Sequence, residues 1–243
     1  DLPFDSSQCE QGRNFSNKIW NAFRLVNSWE VQDIKQPEYA AKGVEWFKSK
    51  FNKTLTEIND SYDKFRISEA LMSTYKLVWD DFCSWYLEIV KPPYQQPIDA
   101  ITYKETLSIF ESLLKVMHPF TPFISEEIWH LIGDKKDEDC IMVAPWPTLG
   151  VIDEELLSNF ILAEEVISNI RNIRKEKNIA NKVTLDLLVI DNEKTDRSFD
   201  PIISKISNLS SLEYIESKVD NAFSFVLKSN EYFVPFSEDI DVE

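Results

Sequence analysis

From about Gln11 to Gly133 the apolar residues recur at the three- and four-residue steps of an α-helix, and proline is what breaks the pattern. That periodicity predicts a stack of amphipathic helices. Phe15, Ile19, Ala22, Phe23 and Val26 share one arc of a helix running from about Gln11 to Trp29. Residues 1–10, with Pro3 and small polar side chains, read as irregular. A second helix is predicted over Glu38 to about Lys53, with Tyr39, Trp46 and Phe47 inward. A third starts at Thr54, reaches about Glu69 and runs on into the aromatic stretch Ala70–Val90, which stops at Pro92-Pro93. Another spans about Ile98–Met117. Beyond Pro119 and Pro122, Ser125-Glu126-Glu127 opens a helix with acids at its N-terminal end, and Gly133 closes it.

The texture then changes. Residues 134–150 read as a loop holding the short extended run CIMVAPWP. Asp153 is placed to cap a helix reaching about Lys177. TLDLLVI (184–190) is rich in strand formers, and FDPIISKISN reads as a short helix. LEYIES, AFSFVLK and EYFVPF alternate like strands, with a hairpin turn expected at Ser229-Asn230. The predicted fold is mainly α: a helical bundle over 1–150, followed by a small α/β domain over 151–243.

Composition narrows the chemistry. Apolar residues make up 43% of the chain, with seven Trp and sixteen Phe, enough for a packed core with aromatic anchors. Four Gly are too few for a glycine-rich phosphate cradle. Cys9, Cys83 and Cys140 are far apart, so no metal site and no disulfide framework is indicated, and reduced structural thiols are expected. No apolar run approaches the ~20 residues that span a bilayer. His118 and His130 have no nucleophile motif beside them, and the adjacent Glu126 and Glu127 point about 100° apart on a helix. The residues themselves point to a binding module or a structural domain.

Net charge is −16, which by itself disfavours a nucleic-acid partner. Residues 1–120 contribute −3 and residues 121–243 contribute −13, with acids concentrated at DKKDED (134–139) and in the tail SEDIDVE. Two islands run the other way. On the first helix Arg13, Asn14, Asn17, Lys18, Asn21, Arg24 and Ser28 share an arc of about 140° that holds no carboxylate, with Leu25 inside it. Ordinary solvated faces mix both signs. Cations and amides together suit phosphates and base edges. The second island, Arg171, Arg174 and Lys175 with Asn178, recurs opposite Ile167, Ile170 and Ile173. It reads either as C-terminal cations offsetting a helix dipole or as a phosphate contact.

Six segments, in order, resemble the valyl-tRNA synthetase family. QGRNFSNKIWNAFRLV (11–26) resembles the signature that opens its anticodon-binding helical bundle. LVWDDFCSWYLEIVKP (77–92) and MHPFTPFISEEIWHLI (117–132) are similar to segments shared with the isoleucine and leucine enzymes, and IMVAPWP (141–147) resembles the strand-like stretch that follows them. ISNIRNIRKEKNI (167–179) is similar to a helix of the valine enzyme, and EYFVPFSEDIDVE to the entry of its C-terminal coiled coil. The resemblance implies a tRNA-recognition part without its catalytic domain, since the HIGH and KMSKS motifs are absent from the sequence. It implies tRNA-Val as partner, with neither DNA nor membrane, and the catalytic domain of the same chain alongside. It also implies a monomer in the cytoplasm, no cofactor in this part, and ATP use by the full enzyme. Carried over by position, Lys18 and Arg24 would contact anticodon nucleotides, flanked by Arg13, Asn14 and Asn21. Leu25 stands where many members have a stacking aromatic. The isoleucine enzyme and a non-enzymatic helical interaction module are the alternative readings.

Overall fold

The computed structural model describes residues 6–133, 135–136, 138–192 and 196–235. The acidic tail SEDIDVE, with its expected coiled-coil entry, lies outside the described residues, as do residues 1–5 and Asp134 and Asp137 of DKKDED. The chain divides into two compact units, Asp1–Ile152 and Asp153–Glu243.

The first unit is helical. Helix α1 (Ser6–Asn27) starts five residues before its apolar pattern predicts. Its described side chains before Phe15 are exposed, so they carry no stripe for periodicity to register. Helix α2 (Glu38–Asp63) runs unbroken through the boundary expected at Thr54, which is buried in its interior. It ends where Phe65 takes a left-handed backbone (φ 57°). There the Arg66 N–H donates to the Ser61 carbonyl at 2.8 Å and the Phe65 N–H to that of Tyr62 at 3.0 Å. Glycine or asparagine usually makes such a stop, so the sequence carries no signal for it. Helix α3 (Ile67–Lys76), a π-helical segment (Leu77–Tyr86) and α4 (Leu87–Val90) then form one continuous helix.

A two-residue parallel bridge joins β1 (Val31–Gln32) to β2 (Ile98–Asp99). The Asp99 carboxylate accepts from the Thr102 N–H at 2.8 Å and caps α5 (Ala100–Met117). Helix α6 (Pro122–Leu131) begins three residues earlier than expected. Proline at its start is preorganised for the helix, so Glu126 and Glu127 lie in the second turn rather than at the N-terminus. Its end at Gly133 (φ 84°) is as expected. The run CIMVAPWP is a loop with a 3₁₀ turn at Ile141–Val143, and among the described residues no strand pairs with it.

Four rings make the centre of this unit. Phe47, Phe82, Tyr86 and Phe110 are all at most 1% exposed, and Phe82 lies 5.6, 5.5 and 5.1 Å from the other three. The Thr106 hydroxyl donates to the Thr102 carbonyl, so Tyr86 donates to Thr106 across 2.8 Å. Gly43 lets α2 and α4 approach: a methyl group there would stand 2.6 Å from Ile89 Cγ2. Gly43→Ala is therefore expected to cost about 1–2 kcal/mol through overpacking, read as a lower urea midpoint at an unchanged m-value.

The second unit packs α7 (Glu154–Glu176) and α8 (Asp200–Ser207) with a four-stranded sheet ordered β4-β3-β6-β5. The strands are β3 (Leu185–Ile190), β4 (Leu209–Ile215), β5 (Ala222–Leu227) and β6 (Asn230–Pro235). Asp153 caps α7 through the Leu156 N–H at 2.9 Å, as the sequence predicts. Strands β3 and β4 are parallel and joined by α8, and β5–β6 is an antiparallel hairpin. Its turn is Lys228-Ser229, with Lys228 at φ 54°, and Asn230 already pairs with Leu227.

Asp200 starts α8 half-buried, and burial pushes its carboxyl up to about 6. The Tyr214 hydroxyl donates to it at 2.9 Å, the Arg197 guanidinium lies 3.9 Å from the Tyr214 ring, and Asp196 adds like charge. A carboxyl held protonated by the fold stabilises it fully below the ordinary value of 3.8, and this is lost as pH rises through about 6. Stability of this unit should thus gain about 1–2 kcal/mol from Asp200 on acidification from pH 7 to 4, after discounting for solvent screening. In Asp200→Asn that part of the pH dependence should be absent, as urea titrations at a series of pH values would show.

Candidate nucleic-acid interface

The inward stripe of α1 is Phe15, Ile19, Ala22, Phe23 and Val26, all buried. That orientation turns the opposite arc to solvent. Arg13, Asn14, Asn17, Asn21, Arg24 and Ser28 are exposed, Leu25 is 38% exposed, and Lys18 is half-buried. Among the described residues none of the three cations Arg13, Lys18 and Arg24 has a carboxylate partner.

Lys18 is nonetheless held. Its Nζ donates to Ser84 Oγ at 3.1 Å and sits 4.1 Å from the centre of the Trp79 ring. Trp79 stacks on Tyr75 (5.6 Å, 10°), and Phe15 closes the group at 5.1 Å from Tyr75. Beside this stack a cavity of 420 Å³ opens, lined by Phe15, Leu71, Met72, Tyr75, Met117 and Phe120. Beneath the lysine, burial pushes the Cys83 thiol up to about 12, so it is neutral at physiological pH. An apolar recess next to an uncompensated strip of cations and amides can take an unstacked base while the strip meets backbone phosphates.

Trp79 and Ser84 are the members that sequence reasoning misses. Five residues apart, they lie about 140° apart on an α-helix. The π-helical register, with its i→i+5 bonding, brings the Ser84 hydroxyl onto the Trp79 carbonyl at 2.9 Å. Only the density of aromatics in Ala70–Val90 hints at this.

The second island divides. Arg171 and Lys175 are exposed on α7. Arg174 is not a phosphate contact: it is 6% exposed, and its guanidinium donates to the carbonyls of Ala180, Val183, Ser207 and Asn208 at 3.2, 2.8, 2.8 and 3.3 Å. Asn178 takes a left-handed backbone (φ 53°) that ends α7, which explains its place in that pattern. The remaining polar candidates are structural. His118 Nδ1 bonds Ser125 Oγ at 2.7 Å, and Glu126 accepts from the Ile141 N–H at 3.1 Å and pairs with His130 at 3.2 Å. Among the described residues no group of His, Cys, Asp or Glu is arranged to hold a metal, and no helix is long and apolar enough to cross a membrane.

Comparison with known proteins identifies the family. The family model described as the anticodon-binding domain of tRNA ligase matches residues 44–189, more than half of the chain. Over its whole length the chain is 52% identical to the valine–tRNA ligase of Christiangramia forsetii and 49% identical to that of Parabacteroides distasonis. It is 30% identical to the valine–tRNA ligase of Clostridium tetani. The chain spans 28% of the length of the first two relatives. Helix α1 lies before the family match but inside the stretch aligned with those ligases. A helical unit with an unneutralised polar strip, matched in this way, means that the chain belongs to the anticodon-binding domain family of tRNA ligases.

Proposed function

We propose that this chain is the tRNA-recognition part of a valine–tRNA ligase and that the outward face of α1 receives the anticodon loop of tRNA-Val. The observation that carries the proposal is the strip of exposed Arg13, Asn14, Asn17, Asn21 and Arg24 with half-buried Lys18, which has no acid partner among the described residues. Arg and Lys neutralise phosphates, and the three amides offer paired donors and acceptors to base edges. Leu25 makes apolar contact where an aromatic would stack. Arg171 and Lys175 of α7 are proposed as further phosphate contacts. Activation of valine with ATP and its transfer to tRNA belong, on this reading, to the catalytic domain elsewhere in a longer chain. That chain is proposed to be monomeric and cytoplasmic.

With a net charge of −16 working against it, the isolated chain should bind weakly and with steep salt dependence. Filter-binding titrations of tRNA-Val and tRNA-Ile transcripts, at low and at moderate salt, test the proposal. Tighter binding of tRNA-Val, fading as salt rises, is expected. Equal affinity for both transcripts, or no RNA binding at low salt, overturns it.

A further inference from the structure

We infer that Trp79 and Ser84 are positioning residues for RNA recognition: the π-helical segment aims them at Lys18 so that its ammonium is ordered without being neutralised. This deepens the proposed function and rests on it.

The hydrogen-bond directions make the case. The Ser84 hydroxyl donates its one proton to the Trp79 carbonyl at 2.9 Å, so towards Lys18 it presents lone pairs only. It therefore accepts one of the three ammonium protons of Lys18, at 3.1 Å. The Trp79 ring face, 4.1 Å away, attracts the cation through its quadrupole. Neither partner carries a charge. At least one N–H donor and the whole positive charge stay available to a ligand. An ion pair would also order the side chain, but it would cancel the field that draws in a phosphate or a base carbonyl oxygen. Elsewhere on this unit lysines are spent in that way: Lys48 pairs with Glu105 at 2.7 Å, Lys50 with Asp81 at 3.5 Å and Lys64 with Asp60 at 2.7 Å.

The π register is what makes the arrangement possible. Ser84 reaches the carbonyl five residues before it, and one turn of helix then supplies both a ring face and a lone pair to the same point in space. The Tyr75 and Phe15 rings behind Trp79 fix its plane. A long flexible side chain loses rotamer freedom on binding, and a lysine ordered beforehand loses less.

Binding of the tRNA-Val transcript by this chain, at several salt concentrations, tests the inference through Ser84→Ala, Ser84→Thr, Trp79→Phe and Lys18→Ala. Ser84→Ala should weaken binding about three- to tenfold, with the slope of affinity against salt unchanged because the charge remains. Ser84→Thr, which keeps the hydroxyl, should bind like the parent. Trp79→Phe keeps a ring in the stack and should lose a smaller factor. In a Lys18→Ala background, Ser84→Ala should have no further effect. If Lys18→Ala weakens binding but Ser84→Ala does not, or if the two losses simply add, the inference falls and the proposed interface stands. If Lys18→Ala itself binds like the parent, the site assignment on α1 falls with it.

Discussion

Replacing Arg174 by alanine is expected to destabilise the Asp153–Glu243 unit by about 3–4 kcal/mol, which would show as a large drop in its urea midpoint. Arg174 is 6% exposed, and its guanidinium gathers four backbone carbonyls from two places: the turn after α7 at Ala180 and Val183, and the end of α8 at Ser207 and Asn208. Those carbonyls are the ones a helix end and the following turn leave without intrahelical donors. Taking the cation away removes four charge-assisted hydrogen bonds from a buried site. Ala180, Val183 and Asn208 keep other donors, in the Val183 N–H, the Asn208 amide and the Leu185 N–H, so Ser207 is the acceptor left stranded among the described residues. Lysine should recover little, because one ammonium cannot fork across two pairs of oxygens. Arg174→Lys therefore separates loss of charge from loss of geometry. If both variants melt like the parent, the carbonyl cluster is not what joins α7 to the end of α8.

The second large effect is on binding. Lys18→Ala combined with Arg24→Ala is expected to weaken tRNA-Val binding about 100-fold at low salt, at about 1–2 kcal/mol per lost contact. The two sites differ in kind. Arg24 is exposed and without an ion pair among the described residues, and Lys18 is half-buried over Trp79. If both meet phosphates, the salt slope should fall by about 1.4, since each contact on a single-stranded loop contributes about 0.7. If one reads a base edge instead, the affinity falls but the slope moves by about half as much. Stability should change by less than about 1 kcal/mol, because neither side chain fills the core. An unchanged affinity in the double variant would remove the α1 face from consideration.

Much of this molecule is legible from side-chain spacing, and what is not has identifiable physical causes. The inward stripe of α1 and the exposed arc opposite it follow from periodicity, because a helix of known register against a core leaves no freedom about which side faces water. The cap at Asp153 and the stop at Gly133 follow from residue chemistry. The break between α2 and α3 was illegible because Phe65 does what glycine usually does, and Thr54 suggests a boundary that burial overrides. Arg174 illustrates a different limit. Its three-residue step from Arg171 suggests one cationic group, yet at 100° per residue it falls between Ile167 and Ile170 on the buried face, and spacing does not show that carbonyls of Ala180, Val183, Ser207 and Asn208 converge on it. The hairpin turn falls one residue early for a related reason, because Lys228 takes the positive φ for which Asn was the expected residue. Trp79 and Ser84 were hidden by the assumption of 3.6 residues per turn itself.

The π-helical stretch has one more consequence. A wider helix advances by a smaller angle per residue, so the ten residues Leu77–Tyr86 set the rotational phase between α3 and α4. Tightened into ordinary α-helix, the segment would swing Ser84 away from Lys18. It would also turn Ile89 off Gly43, and with it the tight contact there between α2 and α4. The two defects could not be separated. Winding thus ties the geometry of Lys18 to the integrity of the apolar interior, and any shift in one is felt as torsion by the other.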